Sequence, residues 1–240
     1  ELSTRMINIP KGSGLGTSSI LAAACMKAIS EFTGLDMSED ELYEAVTCAE
    51  QLMSTGGGWQ DQVGGMTNGI KLICSHPGIE QKLCIRHIEI SDETKRELSE
   101  RFVLVYTGQR RLARNLLRDV VGKYIGNVPD SLFVLNEIQR VAALMCFELE
   151  RGDVDAFAQL LNTHWELSKK LDGGSSNTCI DQIFLAIDDL IDGRMICGAG
   201  GGGFLQVILK EGITNQMLQD RLHSIFQDCG VDVWKCEIVF

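Results

Sequence analysis

The chain has 240 residues, 45% of them hydrophobic, enough to bury a core in one large or two small domains. Its 33 acidic against 22 basic side chains give a formal charge of −11, which opposes nucleic-acid and anionic-membrane partners, both held by clusters of Lys and Arg. Nine cysteines without a C-x-x-C pair, four histidines, no visible signal peptide and no apolar run near the ~20 residues of a membrane span predict free thiols in a reducing cytoplasm, not disulfides or zinc.

Arg5 to Ile9 reads as a strand that delivers Pro10-Lys11-Gly12-Ser13-Gly14-Leu15-Gly16-Thr17-Ser18-Ser19. Apolar residues at 20, 21, 24, 25, 28, 29 and 32 then mark a helix that stops near Gly34. A glycine loop entering a helix N-terminus offers unpaired NH groups and the positive end of the dipole, a fit for a polyphosphate; a turn with a Ser/Thr cap satisfies the same residues. Two other phosphate loops fail on spacing. No glycine-lysine-hydroxyl triplet occurs in the chain, and Gly12, Gly14 and Gly16 lie two apart, unlike G-x-G-x-x-G. The chain opens Glu1-Leu2-Ser3 and reaches this loop within ten residues. A strand delivering such a loop has earlier partners in its sheet, so the sequence is expected to be the C-terminal piece of a longer protein.

Ser38 and Glu41 form a capping box that opens a second helix, apolar at 42, 45, 46, 49, 52 and 53, with Glu50 on the edge of the stripe. Five glycines between Ser54 and Gly65 predict a second close-approach loop, which carries Gly58, Trp59, Gln60 and Asp61. Two strand-like runs, about 66 to 74 and 82 to 90, meet through His76-Pro77-Gly78. Phe102 to Thr107 reads as a strand buried on both faces. Gly108 and the basic run with Arg110 and Arg111 turn into a helix that is apolar from 112 to 121. Helices follow over about 131 to 151, 154 to 170 and 178 to 191. The end reads Met195 to Cys197 strand, Gly198 to Gly203 loop, Phe204 to Leu209 strand, helix over about 215 to 228, and Val231 to Val239 strand. The shift to helix-rich sequence near residue 100 is the best boundary, giving units 1–100 and 101–240.

Asp61, set among glycines, is placed for a base approaching a substrate hydroxyl, although aspartate is also common in glycine turns. The run Gly198-Ala199-Gly200-Gly201-Gly202-Gly203 nominally fits the dinucleotide fingerprint, but the apolar run after it reads as a strand where that fingerprint needs a helix.

Pro10, Gly14, Leu15, Gly16 and Ser18 match P-x-x-x-G-L-G-S-S-A, the second motif of the GHMP kinases, with Thr17 for the first serine and Ser19 for the alanine. Gly58 to Gln62 resembles the G-x-x-D-Q segment around the catalytic aspartate of the galactokinase branch. Glu50 precedes Asp61 by eleven residues, as the magnesium-binding glutamate does in mevalonate-kinase-like members, and Gly198 to Gly203 resembles the third motif, G-A-G-x-G-G. Together with Tyr106-Thr107-Gly108 to Asn115, these four motifs resemble the L-fucokinase branch over nearly the whole chain, and the heptose-phosphate kinases more distantly.

The resemblance implies a two-domain α/β kinase. Its N-terminal domain would have the ribosomal-protein-type β-α-β topology and its C-terminal domain a ferredoxin-like one. It implies transfer of the ATP γ-phosphoryl group to the anomeric hydroxyl of L-fucose. ATP would be bound by residues Lys11 to Ser19 with Gly200 and Gly201, and Mg2+ by Ser18 and Glu50, with Asp61 catalytic and Gly58, Trp59, Gln60 and Arg111 on the sugar. Fusion to a nucleotidyltransferase domain is also implied. The family's first motif, a source of sugar contacts, is absent from these residues, which leaves open a nucleotide-binding chain without turnover of its own.

Overall fold

A computed structural model of the chain describes residues 2–53, 57–78, 82–110, 114–234 and 236–240, without the side chains of 114–117. It is a mixed α/β structure with antiparallel sheets. Helices α1 (Thr17–Thr33), α2 (Glu39–Leu52) and α3 (Gln60–Met66) come first, followed by the hairpin of β1 (Lys71–Ser75) and β2 (Leu83–His87). Helix α4 (Asp92–Arg101) leads directly into β3 (Phe102–Thr107). Then come α5 (Arg114–Ile125), α6 (Pro129–Arg151), α7 (Val154–Leu171) and α8 (Thr178–Ile187). Strands β4 (Ile191–Ile196) and β5 (Phe204–Leu209), helix α9 (Asn215–Phe226) and strand β6 (Val231–Trp234) complete it.

The larger sheet runs β4-β5-β3-β6, every neighbour antiparallel. One face carries Val103, Val105, Leu205 and Val207, which pack under Ile180, Ile183 and Ile187 of α8, Leu218 and Leu222 of α9, and Trp165 of α7. A second core joins α4, α6 and α7 to the hairpin through Leu98, Leu149, Ala158, Leu161 and Ile88. The strand expected to be buried on both faces is not: Val103, Val105 and Thr107 are buried, while Phe102, Leu104 and Tyr106 are half-exposed. On the other face Tyr106, Phe204 and Trp234 pack with ring centroids 5.1 to 6.1 Å apart, while Phe102 and Ile208 join the second core.

The Ser38–Glu41 box and the left-handed Gly34 stop are both present. Two further expectations fail. Residues 5–9 form no strand, and Ile7 is 72% exposed, because no neighbouring strand among the described residues offers a ladder partner. Asp61 to Gly65 belongs to helix α3 and not to a loop, since the absent side chain of Gly65 lets the turn seat on Ile20 of α1. Helix α4 was not foreseen, although Ser91 caps it through the Thr94 amide. Several expected boundaries also move. The first two strands contract to Lys71–Ser75 and Leu83–His87, and the last ends at Trp234.

Candidate active site

The loop from Gly12 to Gly16 is stitched into the larger sheet. The Phe204 amide donates to the Ser13 carbonyl at 3.0 Å, extending β5 by one rung onto the loop, and the Cys197 amide returns to the Phe204 carbonyl at 2.8 Å. Ser13 is fully buried, its hydroxyl lying 3.4 Å from the Leu15 amide. These approaches leave no room for side chains. A Cβ on Gly14 would stand 2.6 Å from the Cys197 carbonyl oxygen, and one on Gly203 2.2 Å from the Ser13 carbonyl oxygen.

From Gly16 the chain enters α1 with no side-chain cap, and the first helical bond runs from the Ile20 amide to the Gly16 carbonyl. Helix geometry leaves the amides of Thr17, Ser18 and Ser19 without intrahelical partners. Those amides and the dipole give this helix end the polarity that suits an anion.

The carboxylate of Glu50, near the end of α2, faces this helix start and is only 5% exposed. Its Oε1 accepts from the Ser18 hydroxyl at 3.0 Å and the Ser19 hydroxyl at 2.8 Å, and its Oε2 from Gln62 Nε2 at 2.7 Å. Burial follows from α2 packing across α1 through Ala23, Leu42 and Val46. Replacing Glu50 with alanine should strand buried donors on Ser19 and Gln62 and cost about 2–4 kcal/mol of unfolding free energy in urea titration.

Asp61 lies in the first turn of α3. As a residue it is exposed, yet its carboxyl lies against the phosphate loop, since a Cβ on Gly16 would meet Asp61 Cγ at 2.9 Å. Burial first, and then the charge of Glu50, hold this carboxyl above the usual aspartate range. A carboxylate with raised basicity beside an anion-binding helix end is equipped to take a proton from a hydroxyl.

The Gly198–Gly203 bend packs against the loop, and a Cβ on Gly198 would lie 2.9 Å from the Gly14 carbonyl oxygen. Gly200 and Gly201 are turned the other way, onto Ser175, whose carbonyl accepts the Gly201 amide at 2.7 Å. The Thr107 amide and hydroxyl both donate to the Gly203 carbonyl at 2.9 Å, and the Gly203 amide donates to the Gln109 carbonyl. Asn177 was overlooked in the sequence. Its Nδ2 donates to the Gly201 carbonyl and to Gln109 Oε1, while its Oδ1 caps α8 through the Ile180 amide. Its cap position three residues before Ile180 was the available signal. Gln62 was likewise passed over as a flank of Asp61.

Of the remaining predicted residues, Lys11, Gly12, Gly58 and Gln60 are exposed, Leu15 and Thr17 are intermediate, and Trp59 is half-buried beside Asp61. Arg111 lies outside the described residues.

Residues 6–69 match the family described as GHMP kinases N terminal domain. This part of the chain is a GHMP kinase N-terminal domain. The chain as a whole shares the GHMP kinase fold: it superposes on the Streptococcus pneumoniae phosphomevalonate kinase in complex with phosphomevalonate and AMPPNP with a TM-score of 0.74. That match has 15% identity and covers 94% of this chain and 69% of that one. In sequence it is 38% identical over 220 residues to the bifunctional fucokinase/GDP-fucose pyrophosphorylase of Arabidopsis thaliana, covering 90% of this chain and 21% of that protein. It is 30% identical over 200 residues to the D-glycero-alpha-D-manno-heptose 7-phosphate kinase of Campylobacter jejuni, covering 82% of this chain and 58% of that protein. The chain thus spans about a fifth of the first relative and under two thirds of the second.

The donor set of this GHMP kinase domain suits magnesium. Among the described residues no three His, Cys, Asp or Glu side chains gather into a closed metal cage. Magnesium asks for less, taking one or two protein oxygens and drawing the rest from phosphates and water. Ser18 and Glu50 offer such a pair.

Proposed function

We propose that the chain is the kinase part of a sugar kinase that moves the γ-phosphoryl group of ATP to the anomeric hydroxyl of L-fucose. The contact of Asp61 with Gly16 carries this reading, because it sets a basic carboxylate at the end of a phosphate-binding helix. The backbone amides from Gly12 to Thr17 hold the β- and γ-phosphates. Ser18 and Glu50 would hold Mg2+, which would supply charge neutralisation at the phosphates. Asp61 takes the proton of the sugar hydroxyl as that oxygen bonds to phosphorus and ADP leaves. Phosphoryl transfer rests on positioning and charge compensation, so these groups suffice for the chemistry.

Gly58, Trp59 and Gln60 take the sugar, with Trp59 offering an apolar face to the ring, and Arg111 is assigned to the sugar on the sequence resemblance alone. In this reading residues 1–100 and 101–240 are the two halves of a cytoplasmic kinase associated with a nucleotidyltransferase, a partnership prompted by the name of the bifunctional fucokinase/GDP-fucose pyrophosphorylase of Arabidopsis thaliana. Higher identity to the fucokinase-containing relative than to the heptose-phosphate kinase supports L-fucose; the latter similarity supports a phosphorylated heptose as the second reading.

The test is ATP consumption by the purified protein with L-fucose, D-galactose, D-mannose and heptose 7-phosphate, each product located by phosphorus NMR. Fucose 1-phosphate is the expected product. Turnover confined to the heptose phosphate favours the second reading, and Mg-ATP binding without any turnover defeats both.

A further inference from the structure

Strands β1 and β2 place two cysteines directly opposite each other, Cys74 against Cys84, in a register that runs unbroken from Lys71–His87 to Ser75–Leu83. No other two cysteines are direct strand partners among the described residues. The rungs at either end define the kind of pair. The Ile88 amide donates to the Ile70 carbonyl at 2.8 Å and the His76 amide to the Lys82 carbonyl at 3.0 Å. Every second pair between them is hydrogen-bonded, Cys74–Cys84 included. Such a pair has Cα atoms about 5.5 Å apart, inside the disulfide range of about 4.4–6.8 Å. Its Cβ atoms, about 5.5 Å apart, must close by about 1 Å to reach the span of about 3.5–4.5 Å that a disulfide takes, which makes the bond strained and readily reduced. Side chains opposite one another in a ladder leave from the same face.

Both thiols are exposed. The next cysteine toward α6 from this face is Cys146, whose sulfur accepts from Arg86 Nη2 but is only 3% exposed, which keeps it from a dissolved oxidant. Lys82, two residues from Cys84, brings positive charge to the hairpin end. That charge suits an anionic reagent.

We propose that Cys74 and Cys84 are a modification site that closes into a reversible disulfide on reaction with a low-molecular-weight anionic disulfide such as oxidised glutathione. The Cys74 thiolate attacks the reagent, forms a mixed disulfide and expels one glutathione thiolate. The Cys84 thiolate then attacks the Cys74 sulfur, forming the Cys74–Cys84 bond and expelling the second. The protein loses two protons and two electrons, and both electrons leave in the two glutathione thiols. The bond spans the nine residues 75 to 83 and fixes the hairpin register. The proposal is independent of the kinase reading.

The experiment incubates the purified protein with oxidised glutathione, blocks remaining thiols with iodoacetamide and maps a non-reducing digest by mass spectrometry. The expected result is a Cys74–Cys84 cross-linked peptide lighter by two hydrogens, the loss of two alkylatable thiols, and reversal by dithiothreitol. Cys84→Ser should instead retain glutathione on Cys74. Persistent glutathione on either wild-type cysteine, alkylation of both, or a cross-link elsewhere overturns the proposal, and these outcomes need no variant to fold.

Discussion

Asp61→Asn is expected to lower sugar phosphorylation by about 10²- to 10⁴-fold, the usual contribution of a general base, with the KM for ATP nearly unchanged. The amide keeps the shape of the side chain against Gly16 but cannot accept the hydroxyl proton. The pH dependence has a definite sign. Burial and the charge of Glu50 raise the Asp61 pKa, and a base must be ionised, so wild-type kcat/KM falls as pH drops through that raised value. The asparagine variant should lack this acidic limb.

Stability moves the other way. A carboxylate whose pKa is raised by folding weakens the fold once pH exceeds its unfolded value. The variant should therefore melt no lower than wild type at neutral pH, and any gain should vanish under acid conditions where both forms are neutral. Near-normal turnover with an intact acidic limb would remove Asp61 from the mechanism.

Gly203→Ala is expected to destabilise the protein by about 3 kcal/mol or more and to abolish Mg-ATP binding. Its φ of +86° costs an L-residue about 1–2 kcal/mol on its own. The added methyl would sit 2.2 Å from the Ser13 carbonyl oxygen, and backbone cannot rotate away as a side chain can. The loop and β5 must then part, which breaks the Phe204–Ser13 hydrogen bond and displaces the amides before α1. Urea unfolding and calorimetry with Mg-ATP measure the two effects. Gly212→Ala is the control, since its φ is +78° but nothing lies within 4 Å of its Cβ position; it should lose only the conformational part.

Sequence reading works where a feature is local. The Ser38–Glu41 box, the Gly34 stop and the long helices from Pro129 onward depend on residues within a few turns, and each is found close to its expected place. It fails where a distant partner decides. Residues 5–9 have strand composition but find no strand partner among the described residues. Gly65 counts as a loop former in sequence and becomes helical because Ile20 fills the space beside it. Periodicity located α1, yet Ile29 is 51% and Phe32 91% exposed, since a repeat identifies a helix and not what covers it. The site divides the same way. The glycine motifs could be recognised by spacing, whereas the sharing of Glu50 among Ser18, Ser19 and Gln62 is a three-dimensional fact. So is the turning of Gly200 and Gly201 toward Ser175.

Because a sheet rung from Phe204 ends on Ser13, the Gly12–Gly16 loop is a continuation of β5 and not a flap hung beside it. A motion that swings this loop away from β5 would have to rupture that strand pairing each time. The lower-energy course is a loop that stays seated on the strand.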